Sequence, residues 1–258
     1  MHRSVMGQGP DLVLIHGWSM HSGVWHDLAE ILAQHFTLHL VDLPGHGLSD
    51  WHSGDFELEA ILSWMAAELP TQAYYLGWSL GGLISLAFVQ HFPNRVEMLA
   101  LLAATPCFVK QADWPHAKSS LVFSDFHEQL GQNQAATLQQ FLLLQARGST
   151  RSRQTIKALA VKMAEVGTAN PEALSEGLSL LMHLDMRDAL SKLDCPILLL
   201  LGECDTLVPQ AMAGDALALN SKLTVQVIDG AGHAPFISHV TACEQHLKRF
   251  FRSGQDNV

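Results

Sequence analysis

The sequence predicts an α/β fold: a mostly parallel central sheet with helices on both faces and a helical cap inserted into it. Short apolar runs, typical of strands buried on both faces, recur along the chain and alternate with helical patterns. This alternation stops between residues 107 and 190, where only helical patterns occur. With 258 residues, the chain is long enough for one large core plus such an insertion.

The predicted strands lie in the first and last parts of the chain. Apolar runs predict strands at residues 11–16, 36–42, 74–77, 96–103, 197–201 and 223–228. Apolar residues at helical spacing predict helices between them, at residues 24–35, 80–88 and 211–219. Strands that alternate with helices form parallel sheets, whose ligand sites lie at the carboxyl ends of the strands.

The middle of the chain predicts a cap made of helices alone. Helical patterns cover residues 121–130, 135–146, 152–166 and 171–182. We therefore expect the core to comprise residues 1–106 and 191–258. The cap, a name kept below for residues 107–190, should cover the carboxyl edge of the sheet.

Composition excludes several classes of protein. The net charge of −10 argues against a nucleic acid partner, because phosphate binding needs a basic surface. The first residues contain no apolar signal region, and no apolar run is long enough to cross a membrane. Four scattered cysteines lack the spacing of metal ligands and favour reduced thiols. These features predict a cytoplasmic protein, and nothing in the sequence indicates more than a monomer.

The most informative motif is the G-x-S-x-G formed by Gly77, Ser79 and Gly81. It lies between a predicted strand and a predicted helix, which is the context of the nucleophile in serine hydrolases. A sharp turn strains the backbone at the serine, and glycines leave room for the neighbouring chain. The helix that follows directs backbone N–H groups at an oxyanion. The motif therefore predicts Ser79 as a nucleophile.

A serine nucleophile needs a base and an acid that orients the base. Asp205 follows one buried strand, His233 lies in a glycine-bracketed loop after the last strand, and the chain order is that of this hydrolase type. Alternatively, Asp205 could be the N-cap of a helix that begins near residues 209–211. Glu203 and Asp229 compete for the role of the acid, but Glu203 comes early in its turn and Asp229 lies close to the histidine's own strand.

The second donor of an oxyanion hole should come from the loop after an early strand. Trp18 fits this place, so we expect its backbone N–H to act together with that of Leu80. His16 is expected to shape the same loop rather than transfer protons. Trp18 and Trp78 should flank the nucleophile and form a narrow apolar channel, although both could simply pack in the core.

These residues resemble the α/β-hydrolases and, more closely, the pimeloyl-[acyl-carrier protein] methyl ester esterase family. The resemblance extends over essentially the whole chain. The motifs that carry it are His16-Gly17-Trp18, residues 38–49, residues 77–82, residues 233–239 and, in the cap, residues 105–108, 114–115 and 141–145.

The resemblance implies a carboxylesterase of biotin synthesis that removes the methyl group from a pimeloyl chain carried on acyl-carrier protein. It also implies a substrate that lies between the nucleophile and the cap. The residues that would contact it are Trp18, Ser79, Leu80, Phe141, Leu142, Leu143, Leu144, Gln145 and His233. Basic residues of the cap would meet the acidic carrier protein.

The charge pattern of the cap supports such a partner independently. Residues 129–164 contain no Asp or Glu, although the whole chain is acidic. The basic residues in this stretch are Arg147, Arg151, Arg153, Lys157 and Lys162. We expect the first four to dock the carrier protein by charge complementarity, although a solvated helix face would look the same. The family's pattern has further arginines where this chain has Ala136 and Gln140, which predicts a differently arranged surface.

The predicted chemistry is two-step acyl transfer by Ser79, His233 and Asp205, with no metal and no organic cofactor. Small free esters are also expected as substrates. A broad short-chain esterase or a carbon–carbon bond hydrolase of the same fold is the first alternative. A hydrolase scaffold that binds a ligand without catalysis is an alternative of another class.

Overall fold

In the computed structural model, which describes residues 1–253, seven strands form one sheet. The strands are β1 (His2–Gly7), β2 (Asp11–Ile15), β3 (Thr37–Asp42), β4 (Ala73–Trp78), β5 (Val96–Leu102), β6 (Ile197–Gly202) and β7 (Leu223–Ile228). Their order across the sheet is β1-β3-β2-β4-β5-β6-β7. Only the pair β1 and β3 is antiparallel. The predicted α/β fold class is confirmed.

Helices connect the strands and form the segment between β5 and β6. In the described part of the chain they are α1 (His26–Leu32), α2 (Leu58–Glu68), α3 (Leu80–His91), α4 (Ser120–Gln132), α5 (Gln134–Ala146), α6 (Ser152–Glu165), α7 (Pro171–His183), α8 (Arg187–Lys192), α9 (Met212–Leu219), α10 (Pro235–Ser238) and α11 (Val240–Ser253). Short 3-10 helices cover Ser22–Trp25 and Pro93–Arg95. No helix within residues 1–253 combines the length and apolar character needed to cross a membrane.

The sheet is buried on both faces at its centre. Every residue of β4 and of β6 is buried, and α3 buries ten of its twelve residues against the sheet. Strands covered on both sides need apolar residues at every position, which explains the continuous apolar runs that predicted them. The predicted strands agree with the observed ones to within one or two residues.

The antiparallel edge strand β1 was not predicted. Five of its six residues are exposed, so its side chains carry no apolar alternation. Its pairing with β3 extends from His2 with Asp42 to Gly7 with Thr37. A strand held mainly by backbone hydrogen bonds to a neighbour leaves little trace in the sequence.

The long connection between β5 and β6 contains five helices, α4 to α8. The first four lie where the sequence predicted helices, and α8 was not predicted. Isolated bridges at its base join Cys107 to Asp185 and Val109 to Lys118. This segment packs on the carboxyl edge of the sheet. Trp18 follows the end of β2, and its Nε1 donates to the carbonyl oxygen of Leu174 in α7 at 2.8 Å. Of the predicted core range, residues 254–258 lie outside the described residues.

Candidate active site

The turn between β4 and α3 holds Ser79 in a strained backbone. Ser79 has φ 54° and ψ −116°, a left-handed region that residues other than glycine rarely adopt. The flanking glycines permit this turn: a Cβ on Gly77 would lie 2.4 Å from the Gly81 oxygen, and one on Gly81 would lie 2.2 Å from the Ile15 oxygen. Backbone bonds fix the turn further, since the Ser79 N–H donates to the Leu102 oxygen at 3.1 Å.

Three side chains that are distant in sequence form one hydrogen-bonded chain. Ser79 Oγ lies 2.9 Å from His233 Nε2, and His233 Nδ1 lies 2.8 Å from Asp205 Oδ2. All three residues are at least 95% buried. The hydroxyl can donate to the imidazole while the carboxylate accepts from its other nitrogen, which is the arrangement that activates a serine.

Asp205 is held by the backbone of its own turn. Its Oδ1 accepts from the N–H groups of Leu207 at 2.7 Å and Val208 at 3.0 Å, so Oδ2 is left for His233. The alternative role as a helix N-cap is wrong, because α9 begins later and its N-cap is Ala211.

The two competing acids lie elsewhere. Glu203 accepts from the Gly230 N–H at 2.7 Å, and Asp229 is exposed to solvent. Within the described residues, the imidazole of His233 therefore has Asp205 as its only carboxylate partner.

The loop of His233 is also held through its backbone, by two residues for which no such role was predicted. Trp78 Nε1 donates to the His233 oxygen at 2.8 Å, and the His233 N–H donates to the Gln145 oxygen at 2.9 Å. The Trp78 ring packs edge-on against Phe236 at 4.8 Å. Trp78 therefore lies beneath the histidine loop, in the core, which was one of the two predicted roles. Because Trp78 belongs to the G-x-S-x-G motif, its position next to Ser79 was the signal from which a contact near the nucleophile could have been predicted.

Trp18 and Leu80, the two predicted oxyanion donors, are both buried. Leu80 is the first residue of α3, so its N–H has no acceptor within the helix. The backbone N–H of Trp18 makes no hydrogen bond to any described residue. Helix α7 of the cap covers both residues closely: a Cβ on Gly177 would lie 2.8 Å from the Trp18 ring and 3.4 Å from Leu80 Cδ2.

A cluster of buried histidines supports the loops beside the site. His16 Nδ1–H donates to the Gly17 oxygen at 2.8 Å, and its Nε2 accepts from the Leu43 N–H at 3.0 Å. Burial lowers the pKa of His16 to about 4 and that of His46 to about 3, so both rings are neutral. His16 shapes the loop, as expected. No cluster of three or more potential metal-ligating side chains occurs in the described chain.

The cap residues predicted to contact substrate divide into two sets. Phe141 is buried and packs edge-on against Trp18 with ring centroids 4.6 Å apart. Leu142 and Gln145 are also buried. In contrast, Leu143 is 50% exposed and lines, with Leu144, a groove of about 560 Å³ on the cap. The structure thus brings Phe141 to the predicted oxyanion loop and directs Leu143 outward.

The predicted docking residues differ in their contacts. Arg147, Arg153 and Lys157 are exposed and form no ion pair with any described residue. Arg151 instead donates through Nη1 to the Ser238 oxygen at 2.8 Å. Lys162 pairs with Glu165 at 2.9 Å. Three of the four predicted docking cations are therefore free to meet a partner, and Arg151 also binds the core.

Comparisons with known proteins agree with this geometry. The sequence profile of the α/β hydrolase fold matches residues 10–240. A pimeloyl-[acyl-carrier protein] methyl ester esterase of Xanthomonas oryzae pv. oryzae is 44% identical, and the alignment covers 98% of this chain and 99% of that protein. One from Xylella fastidiosa is 45% identical and covers 96% of this chain and 98% of its own length.

Solved structures show the same fold. An esterase from Exiguobacterium antarcticum aligns with a TM-score of 0.87 at 20% identity, over 97% of this chain and 95% of that chain. At this identity the likeness indicates the fold alone.

Proposed function

The chain belongs to the α/β-hydrolase family, and within it to the pimeloyl-[acyl-carrier protein] methyl ester esterases; on that premise we propose that it hydrolyses the methyl ester of a pimeloyl chain carried on acyl-carrier protein. The products are the free distal carboxylate and methanol, a step of biotin synthesis. The single observation that carries the proposal is the buried hydrogen-bonded chain from Ser79 through His233 to Asp205.

In the first half of the reaction, Ser79 Oγ attacks the ester carbonyl carbon while His233 Nε2 takes the hydroxyl proton. Asp205 keeps the proton of the imidazole on Nδ1 and stabilises the imidazolium. The N–H groups of Trp18 and Leu80 hold the oxyanion, and one such donor contributes roughly 3–4 kcal/mol in other serine hydrolases. His233 then protonates the leaving methoxide, and methanol departs.

In the second half, water attacks the acyl-enzyme. His233 takes a proton from the water as its oxygen bonds to the acyl carbon, and it returns that proton to Ser79 Oγ as the acyl bond breaks. The carboxylate leaves, and the enzyme regains its starting state. The cap keeps the site away from bulk solvent, since Ser79 is 4% exposed and His233 is 1% exposed.

The acidic carrier protein is proposed to dock on the cap. Arg153 and Lys157 lie one helical turn apart on α6, and Arg147 follows the end of α5. In a chain with net charge −10, this positive surface would steer an acidic partner towards the cap. The exposed Leu143 lines the same groove as Arg147, so an apolar side chain would lie beside this charge.

A cytoplasmic location and a monomeric state complete the proposal. All four cysteines are free in the described chain, as expected for a reducing compartment. Residues 107–190 are proposed as a cap domain whose inner face selects the acyl chain and whose outer face binds the carrier.

Rates on three substrates test the proposed function. The purified protein is assayed with methyl pimeloyl-acyl-carrier protein, with p-nitrophenyl acetate and with a ring-cleavage diketone. We expect kcat/KM to be highest for the carrier-bound ester by orders of magnitude, since only that substrate uses the basic surface. Comparable values for all three would reject the assignment, and a preference for the diketone would favour a carbon–carbon bond hydrolase.

A further inference from the structure

One residue, Gly230, connects the cap to the loop of the proposed catalytic histidine. The Gly230 oxygen lies 3.0 Å from the Thr150 nitrogen and 3.2 Å from Thr150 Oγ1. Ser149 Oγ also donates to it, at 3.2 Å. On its other side, the Gly230 N–H donates to Glu203 Oε2 at 2.7 Å. Gly230 has φ 69°, a conformation that suits glycine. The peptide groups before and after it are therefore both held by hydrogen bonds, three residues before His233.

Further contacts hold the same loop from the cap. The His233 N–H donates to the Gln145 oxygen at 2.9 Å, and Arg151 reaches the Ser238 oxygen at 2.8 Å. The packing is tight, because a Cβ on Gly232 would lie 3.0 Å from the Gln145 oxygen. The cap segment 145–151 therefore contacts the loop both before and after the imidazole.

We propose that Ser149 and Thr150 are positioning residues for His233, so that the turn between α5 and α6 sets the rate of the chemical step. This inference rests on the proposed function in that His233 is the general base. The imidazole must reach Ser79 and Asp205 at once, and a displacement of about 1 Å can lower a rate by about 100-fold. Bonds at Gly230 act on the backbone that carries the ring, not on substrate.

The proposal separates two roles of neighbouring cap residues. Arg153 and Lys157 are exposed and form no side-chain hydrogen bond or ion pair with any described residue, so they act on binding of the carrier. Ser149 is buried, and Thr150 bonds only inward to Gly230. Loss of the inward bonds should therefore lower kcat even for an ester too small to reach the basic surface.

The double variant Ser149→Ala with Thr150→Val tests the proposal, with p-nitrophenyl acetate as substrate. We expect kcat to fall about tenfold while KM changes less than about twofold. Thr150→Ser should keep the wild-type kcat, because it retains the hydroxyl donor. Thr137→Val is the matched control: it removes a buried cap hydroxyl that bonds only to the Asn133 oxygen, at 2.9 Å, and should leave kcat unchanged.

A second pair of variants changes Glu203, the core residue that bonds to Gly230. Glu203→Ala removes the acceptor of the Gly230 N–H and should lower kcat in the same way, whereas Glu203→Gln retains an acceptor and should restore most of it. This pair decides the question if the cap variant does not fold.

The rate of labelling by a fluorophosphonate separates failure of this proposal from failure of the proposed function. A wild-type protein that is not labelled would reject the proposed function. A labelled wild type together with wild-type kcat in both the cap variant and Glu203→Ala would overturn the positioning role. An equal loss of kcat in Thr137→Val would overturn it as well.

Discussion

The core and the cap bury their helices to very different degrees. Helix α3 of the core leaves only its last two residues outside the buried set. Helix α6 of the cap buries Thr155, Leu159 and Met163 and leaves its other residues partly or fully exposed. Substitutions on a fully buried helix lower the stability of the protein, whereas the exposed positions of a half-buried helix can carry charged side chains. The core therefore holds its side chains in fixed positions, and the cap has exposed positions that can carry charge.

The two regions meet through polar contacts at several points. His21 Nε2 lies 2.7 Å from the Lys162 oxygen of α6, and the Asn170 N–H donates to the Gly45 oxygen at 2.8 Å. With the bonds at Gly230, these contacts join the cap to loops at the carboxyl edge of the sheet. The cap and the core are therefore mechanically connected, although their helices differ in burial.

The largest effect is expected from the core. Ser79→Ala removes the nucleophile and should lower hydrolysis of every ester by roughly four to six orders of magnitude. The fold should persist, because among the described residues the side chain hydrogen-bonds to His233 alone. Steady-state rates together with circular dichroism check both parts. A variant that keeps more than about 1% of the activity would place the nucleophile elsewhere.

Asp205→Asn should have the next largest effect. The Asn oxygen would keep the N–H groups of Leu207 and Val208, so its amide N–H₂ would face His233 Nδ1. That donor imposes the wrong tautomer on the imidazole, and kcat should fall by about four orders of magnitude. Glu203→Gln is the matched control in the same loop, with little expected loss. Equal losses in the two variants would argue against Asp205 as the orienting acid.

A change to the cap should affect only the carrier-bound substrate. Arg153→Glu with Lys157→Glu should raise KM for the methyl pimeloyl carrier protein by about tenfold or more through like-charge repulsion. KM for p-nitrophenyl acetate should not change. Lys192→Glu with Lys222→Glu, a pair of exposed lysines elsewhere, gives the same change in net charge as a control. A rise in KM with both substrates would indicate a structural role for the cap cations.

Stability should depend on pH through the core histidines. The folded pKa values of His16 and His46, about 4 and about 3, lie below the ordinary value of 6.5. The unfolded chain therefore binds more protons below pH 6.5, and the free energy of unfolding should fall as pH drops from 6.5 towards 4. Each ring contributes about 1.4 kcal/mol per pH unit in this window. Urea titrations at several pH values should show a shallower slope for His46→Asn, and an unchanged slope would contradict the neutral buried state.

The smallest effect concerns the loop of the predicted oxyanion donor. Ser19 has φ 66° although it is not glycine, so Ser19→Gly should raise the free energy of unfolding by about 1 kcal/mol. Ser22→Gly, in the 3-10 helix that follows, has no such strain to relieve and should lower it. Thermal unfolding measures both. A destabilised Ser19→Gly would mean that the buried hydroxyl has a contact of its own.

Much of the fold was predictable because buried strands leave an unbroken apolar signal. The same signal predicted the positions of Ser79 and Asp205, since each follows such a strand at its carboxyl end. His233 follows β7, which alternates apolar and polar residues, so its glycine-bracketed loop was the signal there. Strand β1 was missed because it is exposed. Helix α11 was also missed, although Cys243, Leu247 and Phe251 lie at helical spacing on its buried face, so that signal was present.

The contacts between the cap and the histidine loop could not be predicted. Ser149 and Thr150 lie about 80 residues from Gly230 in the chain, and small polar residues beside a glycine are typical of any loop. The hydrogen bond of Trp78 was missed for a related reason: its indole N–H donates to a backbone oxygen 155 residues away. Such bonds depend on how two distant segments pack, and a local sequence pattern does not predict that packing.

Labelling with a fluorophosphonate followed by peptide mapping tests directly whether Ser79 is a nucleophile activated by His233. We expect a single adduct on Ser79 in the wild-type protein and a greatly reduced labelling rate in His233→Ala. An unlabelled wild-type protein, or an adduct on another serine with Ser79 unmodified, would contradict it.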